Sequence, residues 1–149
     1  MPGLALYHPD IAQNTGAMMR LCACLGVPLH VIEPCGFVWD EGKMRRAGMD
    51  YMDAVDMTRY ASWSVFCDKM SERRMVLITT TGDVPYTQFA FRDDDILIMG
   101  SESAGAPQAV HEKAAARIVI PMHGACRSLN VATAAAMVLG EAIRQCSGK

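Results

Sequence analysis

Apolar residues fall into short runs separated by polar, Gly- and Pro-containing stretches. Leu4-Ala5-Leu6-Tyr7, Leu29-His30-Val31-Ile32, Val76-Leu77-Ile78-Thr79-Thr80-Thr81, Ile96-Leu97-Ile98-Met99 and Arg117-Ile118-Val119-Ile120 read as strands. They are largely continuous runs rather than alternations, the pattern of strands buried on both faces of a parallel sheet. Between them the period lengthens. Met18, Leu21, Cys22 and Leu25 recur at helical spacing, with Asn14-Thr15 offering an N-cap and Gly26 a stop. Residues 41–49 predict a short helix, 62–72 an outer helix with Val65, Phe66 and Met70 inward, 110–116 another short helix, and 128–145 a long Ala-rich one. The last carries Val131, Ala135, Val138 and Ala142 on one face. Residues 50–60 look polar and turn-like, and 83–95 look like a connection anchored by Tyr86, Phe89 and Phe91. Strands alternating with helices predict an α/β fold on a parallel sheet. One domain over residues 1–149 is expected.

Composition narrows the class. Half the residues are apolar, enough for a core without staples. The six cysteines (Cys22, Cys24, Cys35, Cys67, Cys126, Cys146) are scattered through apolar segments and lack metal or disulfide spacing. They read as buried thiols of a cytoplasmic protein. No apolar run nears the ~18 residues that span a bilayer. Net charge is −2, so any nucleic acid must be held by a local patch.

Two strand ends open into polar loops within residues 100–130. One is Gly100-Ser101-Glu102-Ser103-Ala104-Gly105-Ala106-Pro107; the other runs from Ile120-Pro121-Met122 to Arg127-Ser128-Leu129-Asn130. In open α/β sheets ligands sit beyond the carboxyl ends of strands, which makes this stretch the expected crevice. Gly100 and Gly105 allow close backbone approach, and Glu102 is the loop's one carboxylate; a plain strand-to-helix turn fits the same residues. Ser128 and Asn130 suit capping, or the orientation of a ligand through their donors. Neither a dinucleotide fingerprint nor a P-loop occurs. His8, His30, His111 and His123 lack metal spacing, so neither a metal nor a covalent nucleophile is expected.

Two basic features remain. Arg20 is the only Lys, Arg, Asp or Glu between Ile11 and Ile32, and it lies about 200° round its helix from Met18 at ~100° per residue. It is either a solvated side chain or a functional cation on an interface. Lys43, Arg45 and Arg46 form the densest basic cluster, either a solvated helix face or a phosphate patch.

Taken together, Asn14-Thr15-Gly16 with Arg20, Leu29-His30 with Ile32-Glu33-Pro34 and Gly36-Phe37, Arg45-Arg46-x-Gly48 with Asp50-Tyr51, Gly100-x-Glu102-x-x-Gly105-x-Pro107, and Ile120-Pro121-Met122 with Arg127-Ser128-Leu129-Asn130 resemble the SPOUT superfamily of S-adenosyl-L-methionine-dependent RNA methyltransferases. The chain looks like its minimal members, which methylate the ribose 2′-OH of the wobble nucleotide, C34 or modified U34, of leucine-type tRNA isoacceptors. The resemblance implies a parallel-sheet domain with a C-terminal trefoil knot, a cytoplasmic homodimer and tRNA as partner. It places the cofactor against Ile78, Gly100, Ile120, Met122, Ser128 and Leu129, with no metal. Arg20 would position the nucleotide and stabilise the developing alkoxide, with Glu102, Ser128 and Asn130 ordering the site. Lys43, Arg45, Arg46 and Arg127 would meet the tRNA backbone. Ser101 stands where many relatives have Pro, and Ala104 where many have Arg. Two other readings are a 2′-O-methyltransferase for another RNA position and a SPOUT protein that binds RNA without catalysis; a flavodoxin-like redox protein is more distant.

Overall fold

A computed structural model describes residues 1–46, 50–126 and 128–148. Its centre is a seven-stranded sheet of β1 (Gly3–Tyr7), β2 (Leu29–Ile32), β3 (Met57–Tyr60), β4 (Arg74–Ile78), β5 (Val84–Pro85), β6 (Asp95–Met99) and β7 (Ala116–Val119). The order is β3-β2-β1-β6-β4-β7-β5, and every pairing is parallel. All carboxyl ends therefore point to one edge. The described residues also form five α-helices: α1 (Ala12–Leu25), α2 (Glu41–Arg46), α3 (Trp63–Lys69), α4 (Gln108–Lys113) and α5 (Val131–Ser147).

The period of two along each strand divides the core. Leu4, Leu6, Leu29, Val31, Val76, Ile78, Leu97 and Met99 face one side, where Met18, Met19 and Cys22 of α1 and Ala134, Ala135, Val138, Leu139 and Ala142 of α5 cover them. Ala5, Ile32, Met75, Leu77, Ile96 and Ile98 face the other, under Phe66 of α3 and Val110 of α4. Burial on both faces explains the continuous apolar runs. Asp95, the one fully buried acid among the described residues, is held by bidentate hydrogen bonds from Arg74 at 2.6 and 2.8 Å.

The structure moves several expected boundaries. α1 begins at Ala12 after an Ile11 cap with no side-chain bond, so Asn14 and Thr15 lie inside it. Its buried positions are Thr15, Met18, Met19 and Cys22, whereas Leu25 is 40% exposed. Residues 50–60 and 83–95 contain β3 and β5. β4 ends at Ile78, because the Thr79 carbonyl accepts from Gly82 N–H at 3.2 Å and turns the chain. The last helix starts at Val131, with Asn130 Oδ1 accepting from the Ala132 and Thr133 N–H groups at 2.9 and 3.2 Å; Ser128 precedes the cap. Of the expected 41–49 helix, residues 47–49 lie outside the described residues. Cys22 is buried, Cys35, Cys67 and Cys146 are half-buried, and Cys24 and Cys126 are exposed, so the thiols are not uniformly interior. No helix among the described residues is long and apolar enough to cross a membrane.

Candidate active site

A cavity of about 430 Å³ opens at the carboxyl edge of the sheet, among the loops after β4, β6 and β7 and the start of α5. Its volume falls within the ~300–1,000 Å³ usual for small-molecule sites. Ile78, Gly100, Glu102, Ile120, Met122, Ser128, Leu129 and Asn130 all line it. Ile11, Asn14, Thr79, Thr80 and Met99 complete much of the wall. Residues up to 52 positions apart within the 78–130 span thus meet where the strand ends deliver them. Arg127 lies outside the described residues.

Each wall has a local cause. β6 runs out at Met99, and the chain recrosses itself: Ser101 and Gly105 exchange backbone hydrogen bonds of 2.9 and 3.1 Å. A Cβ on Gly100 would stand 2.6 Å from the Gly105 carbonyl carbon and 2.8 Å from Ala106 N, so only glycine fits that crossing. Gly105 has φ +66°, the left-handed region open to glycine. Ile78, at the end of β4, and Ile120, just past β7, supply nearly buried apolar surface, while Leu129 is 40% exposed at the mouth.

Glu102 lines the cavity and is paired with Asp10 behind it. Asp10 N–H donates to Glu102 Oε2 at 2.8 Å, and Glu102 N–H donates back to Asp10 Oδ1 at 3.0 Å. Burial, then the hydrogen bond with Asp10, raise the Glu102 pKa; hydrogen bonds with Glu102 and Ser103 lower that of Asp10. Glu102 Oε1 is buried and has no hydrogen-bond partner among the described residues. Asn130 is more than a cap: its Nδ2 donates to Asn14 Oδ1 at 3.0 Å, tying α5 to the first turn of α1. Local pattern does not reveal Asp10 and Asn14 as site residues, since their partners are 92 and 116 positions away; the turn at His8-Pro9-Asp10 and the resemblance motif that includes Asn14 are the signals the sequence offers.

Arg20 does not line this cavity. It sits exposed on α1, six residues past Asn14 and ~9 Å further along the helix axis, with its guanidinium 5.1 Å from the centroid of the Tyr51 ring. Lys43, Arg45 and Arg46 are exposed on α2, but Arg45 is held by Asp53 through bonds of 2.8 and 2.7 Å. The cluster is thus partly neutralised by its own surroundings. No group of three His, Cys, Asp or Glu among the described residues is arranged to hold a metal.

The crevice accepts a ligand with a flat apolar part and polar arms. Ile78, Met99, Ile120 and Leu129 provide aliphatic surface, bare backbone at Gly100 allows close approach, and Glu102 adds a carboxyl group to the lining. Those features fit S-adenosyl-L-methionine, with its adenine, ribose hydroxyls and amino group.

Comparison with known proteins agrees in extent and in fold. A protein of Beijerinckia indica subsp. indica named tRNA (cytidine(34)-2′-O)-methyltransferase is 59% identical over 144 residues, covering 95% of this chain and 90% of that protein. A solved structure described as giving structural insights into the 2-OH methylation of C/U34 on tRNA matches with a TM-score of 0.93 at 38% identity, over 100% of this chain and 98% of that one. The SpoU methyltransferase AviRb from Streptomyces viridochromogenes, in complex with AdoMet, matches with a TM-score of 0.86 at 28% identity, over 96% of this chain and 57% of that one. Residues 2–140 match the model of the SpoU rRNA Methylase family, and the chain belongs to that family.

Proposed function

We propose that this protein transfers a methyl group from S-adenosyl-L-methionine to the ribose 2′-OH of nucleotide 34 of tRNA. The observation that carries the reading is the convergence of Ile78, Gly100, Glu102, Ile120, Met122, Ser128, Leu129 and Asn130 on one cavity of cofactor size. The relatives named for this reaction, similar over nearly their whole length, support the substrate. The bound AdoMet of the AviRb complex supports the donor.

When bound, AdoMet would supply a sulfonium-activated methyl group, the S–C bond breaking as the O–C bond forms, with S-adenosyl-L-homocysteine leaving and the hydroxyl proton passing to water. The protein's task is alignment and charge control. Ile78, Met122 and Leu129 hold the apolar part of the donor, Gly100 and Ile120 shape its slot, and Ser128 and Asn130 order the loop at its mouth. Arginine stays protonated, so Arg20 is assigned to orienting the nucleotide and stabilising the developing alkoxide rather than to removing the proton. Lys43, Arg45, Arg46 and Arg127 are assigned to the tRNA backbone.

Arg20 reaches a reacting nucleotide most simply across a homodimer. The outward positions of α1 and α5 support that arrangement: Ala17, Cys24 and Leu25 are exposed on one helix, and Ala136, Met137 and Gly140 on the neighbour packed against it. This surface is poor in charge around Arg20, as subunit interfaces are. The reading also includes a cytoplasmic setting and the trefoil knot that the resemblance implies.

Purified protein, AdoMet and unmodified tRNA test the reading directly. Digestion and mass spectrometry are expected to find a 2′-O-methyl group at nucleotide 34, and Arg20→Ala to lower its rate at least ~100-fold with AdoMet binding retained. Methyl transfer at another position would replace the substrate assignment, and full activity of Arg20→Ala would remove the role given to Arg20.

A further inference from the structure

Three loops at the carboxyl edge of the sheet meet on Asp10. From the loop after β6, Glu102 N–H donates to Asp10 Oδ1 at 3.0 Å, Ser103 Oγ donates to Asp10 Oδ2, and Asp10 N–H donates to Glu102 Oε2 at 2.8 Å. From the loop after β2, Gly36 N–H donates to the Pro9 carbonyl at 2.9 Å, and a Cβ on Gly36 would fall 2.4 Å from Asp10 Cβ. Asp10 is thus clasped on both sides with no room to swing. Its hold on Glu102 occupies one carboxyl oxygen of that residue. The other, Oε1, is buried without a partner among the described residues, on a side chain that lines the cavity.

A buried polar atom without a partner is costly, and a flexible glutamate would ordinarily rotate to water rather than bear it. The clasp prevents that escape. The geometry points to Asp10 as a positioning residue, which holds the Glu102 side chain in place where it lines the cavity for the methyl donor. The opposed pKa displacements agree with this division, since the pair's negative charge is biased toward Asp10. The inference rests on the AdoMet reading above, and it adds a residue whose action is wholly through another.

Calorimetric titration with AdoMet tests it in five proteins: wild type, Asp10→Ala, Asp10→Asn, Glu102→Ala and the Asp10→Ala/Glu102→Ala double variant, each first checked for cooperative unfolding. Asp10→Ala is expected to weaken AdoMet about tenfold in the wild-type background and less than twofold when Glu102 is already alanine. Asp10→Asn retains an acceptor for Glu102 N–H and is expected within threefold of wild type. Ser103→Ala, which removes one leg of the clasp, serves if Asp10→Ala does not fold, and is expected to weaken binding two- to fivefold only while Glu102 is present. Equal losses in both backgrounds would show a merely structural role and overturn the proposal, as would Asp10→Asn behaving like Asp10→Ala. Normal AdoMet binding by Asp10→Ala would overturn it and leave the functional reading standing. Failure of the wild type to bind AdoMet would overturn both.

Discussion

Gly100 shows how much of the site is set by the lack of a single carbon. A Cβ there would stand 2.6–3.0 Å from backbone atoms of Gly105 and Ala106, which cannot step aside as a flexible side chain would. Gly100→Ala is therefore expected to lower stability by about 1–3 kcal/mol and to spread the loop. Denaturant unfolding would show the first effect, and calorimetry a loss of AdoMet affinity beyond it; an unchanged midpoint and affinity would refute the close-crossing argument. At this scale the sequence was informative about type and silent about pairing. Glu102 stood out as the loop's only carboxylate and Asn130 as a capping residue, because both properties are local. That Glu102 is gripped by Asp10, and that Asn130 also donates to Asn14, are long-range facts that no periodicity carries.

Elements were legible in proportion to their burial. β1, β2, β4, β6 and β7 lie inside the sheet and announce themselves as apolar runs; β3 and β5 are its two edges and do not. An edge strand pairs on one side only, so β3 keeps Thr58 and Arg59 exposed and reads as a polar turn. On α1 the expected Met18 and Cys22 are buried and Leu21 packs against the core, Met19 joins them, and Leu25 is 40% exposed. β2 also carries a buried base. His30 is 8% exposed, with Nδ1 2.8 Å from the Tyr60 hydroxyl, and burial lowers its pKa, with the Arg73 charge adding to this and Asp56 opposing it. A depressed histidine pKa means that the unfolded chain binds the proton more readily. The neutral-state stability is then fully present above the unfolded value of about 6.5 and is lost as pH falls through it toward the folded value. The melting temperature should thus decline between about pH 7 and 5 more steeply in the wild type than in His30→Gln; parallel curves would exclude His30 as the source.

For the whole molecule, the proposed tRNA substrate is a polyanion, which a chain of net charge −2 would hold through few cations. Arg45 has to be shared with or released from Asp53 before it can meet a phosphate, so Lys43 and Arg46 are expected to contribute more. Affinity for tRNA should fall steeply between about 50 and 200 mM salt, with Lys43→Ala or Arg46→Ala each reducing the log–log slope by about one and Arg45→Ala by less. Anisotropy titrations would measure it, and a flat salt response would dismiss the patch. The parallel sheet has a further consequence for altering the protein. With every strand running the same way, the turns entering β2, β4, β6 and β7 collect at the edge opposite the cavity, and none of residues 26–28, 71–73, 92–94 or 114–115 lines it. On that opposite edge residues 71–72 and 92–94 are exposed whereas Val27 and Ala114 are buried, so an epitope or reporter peptide inserted at either exposed turn would leave the proposed reactive rim as it stands.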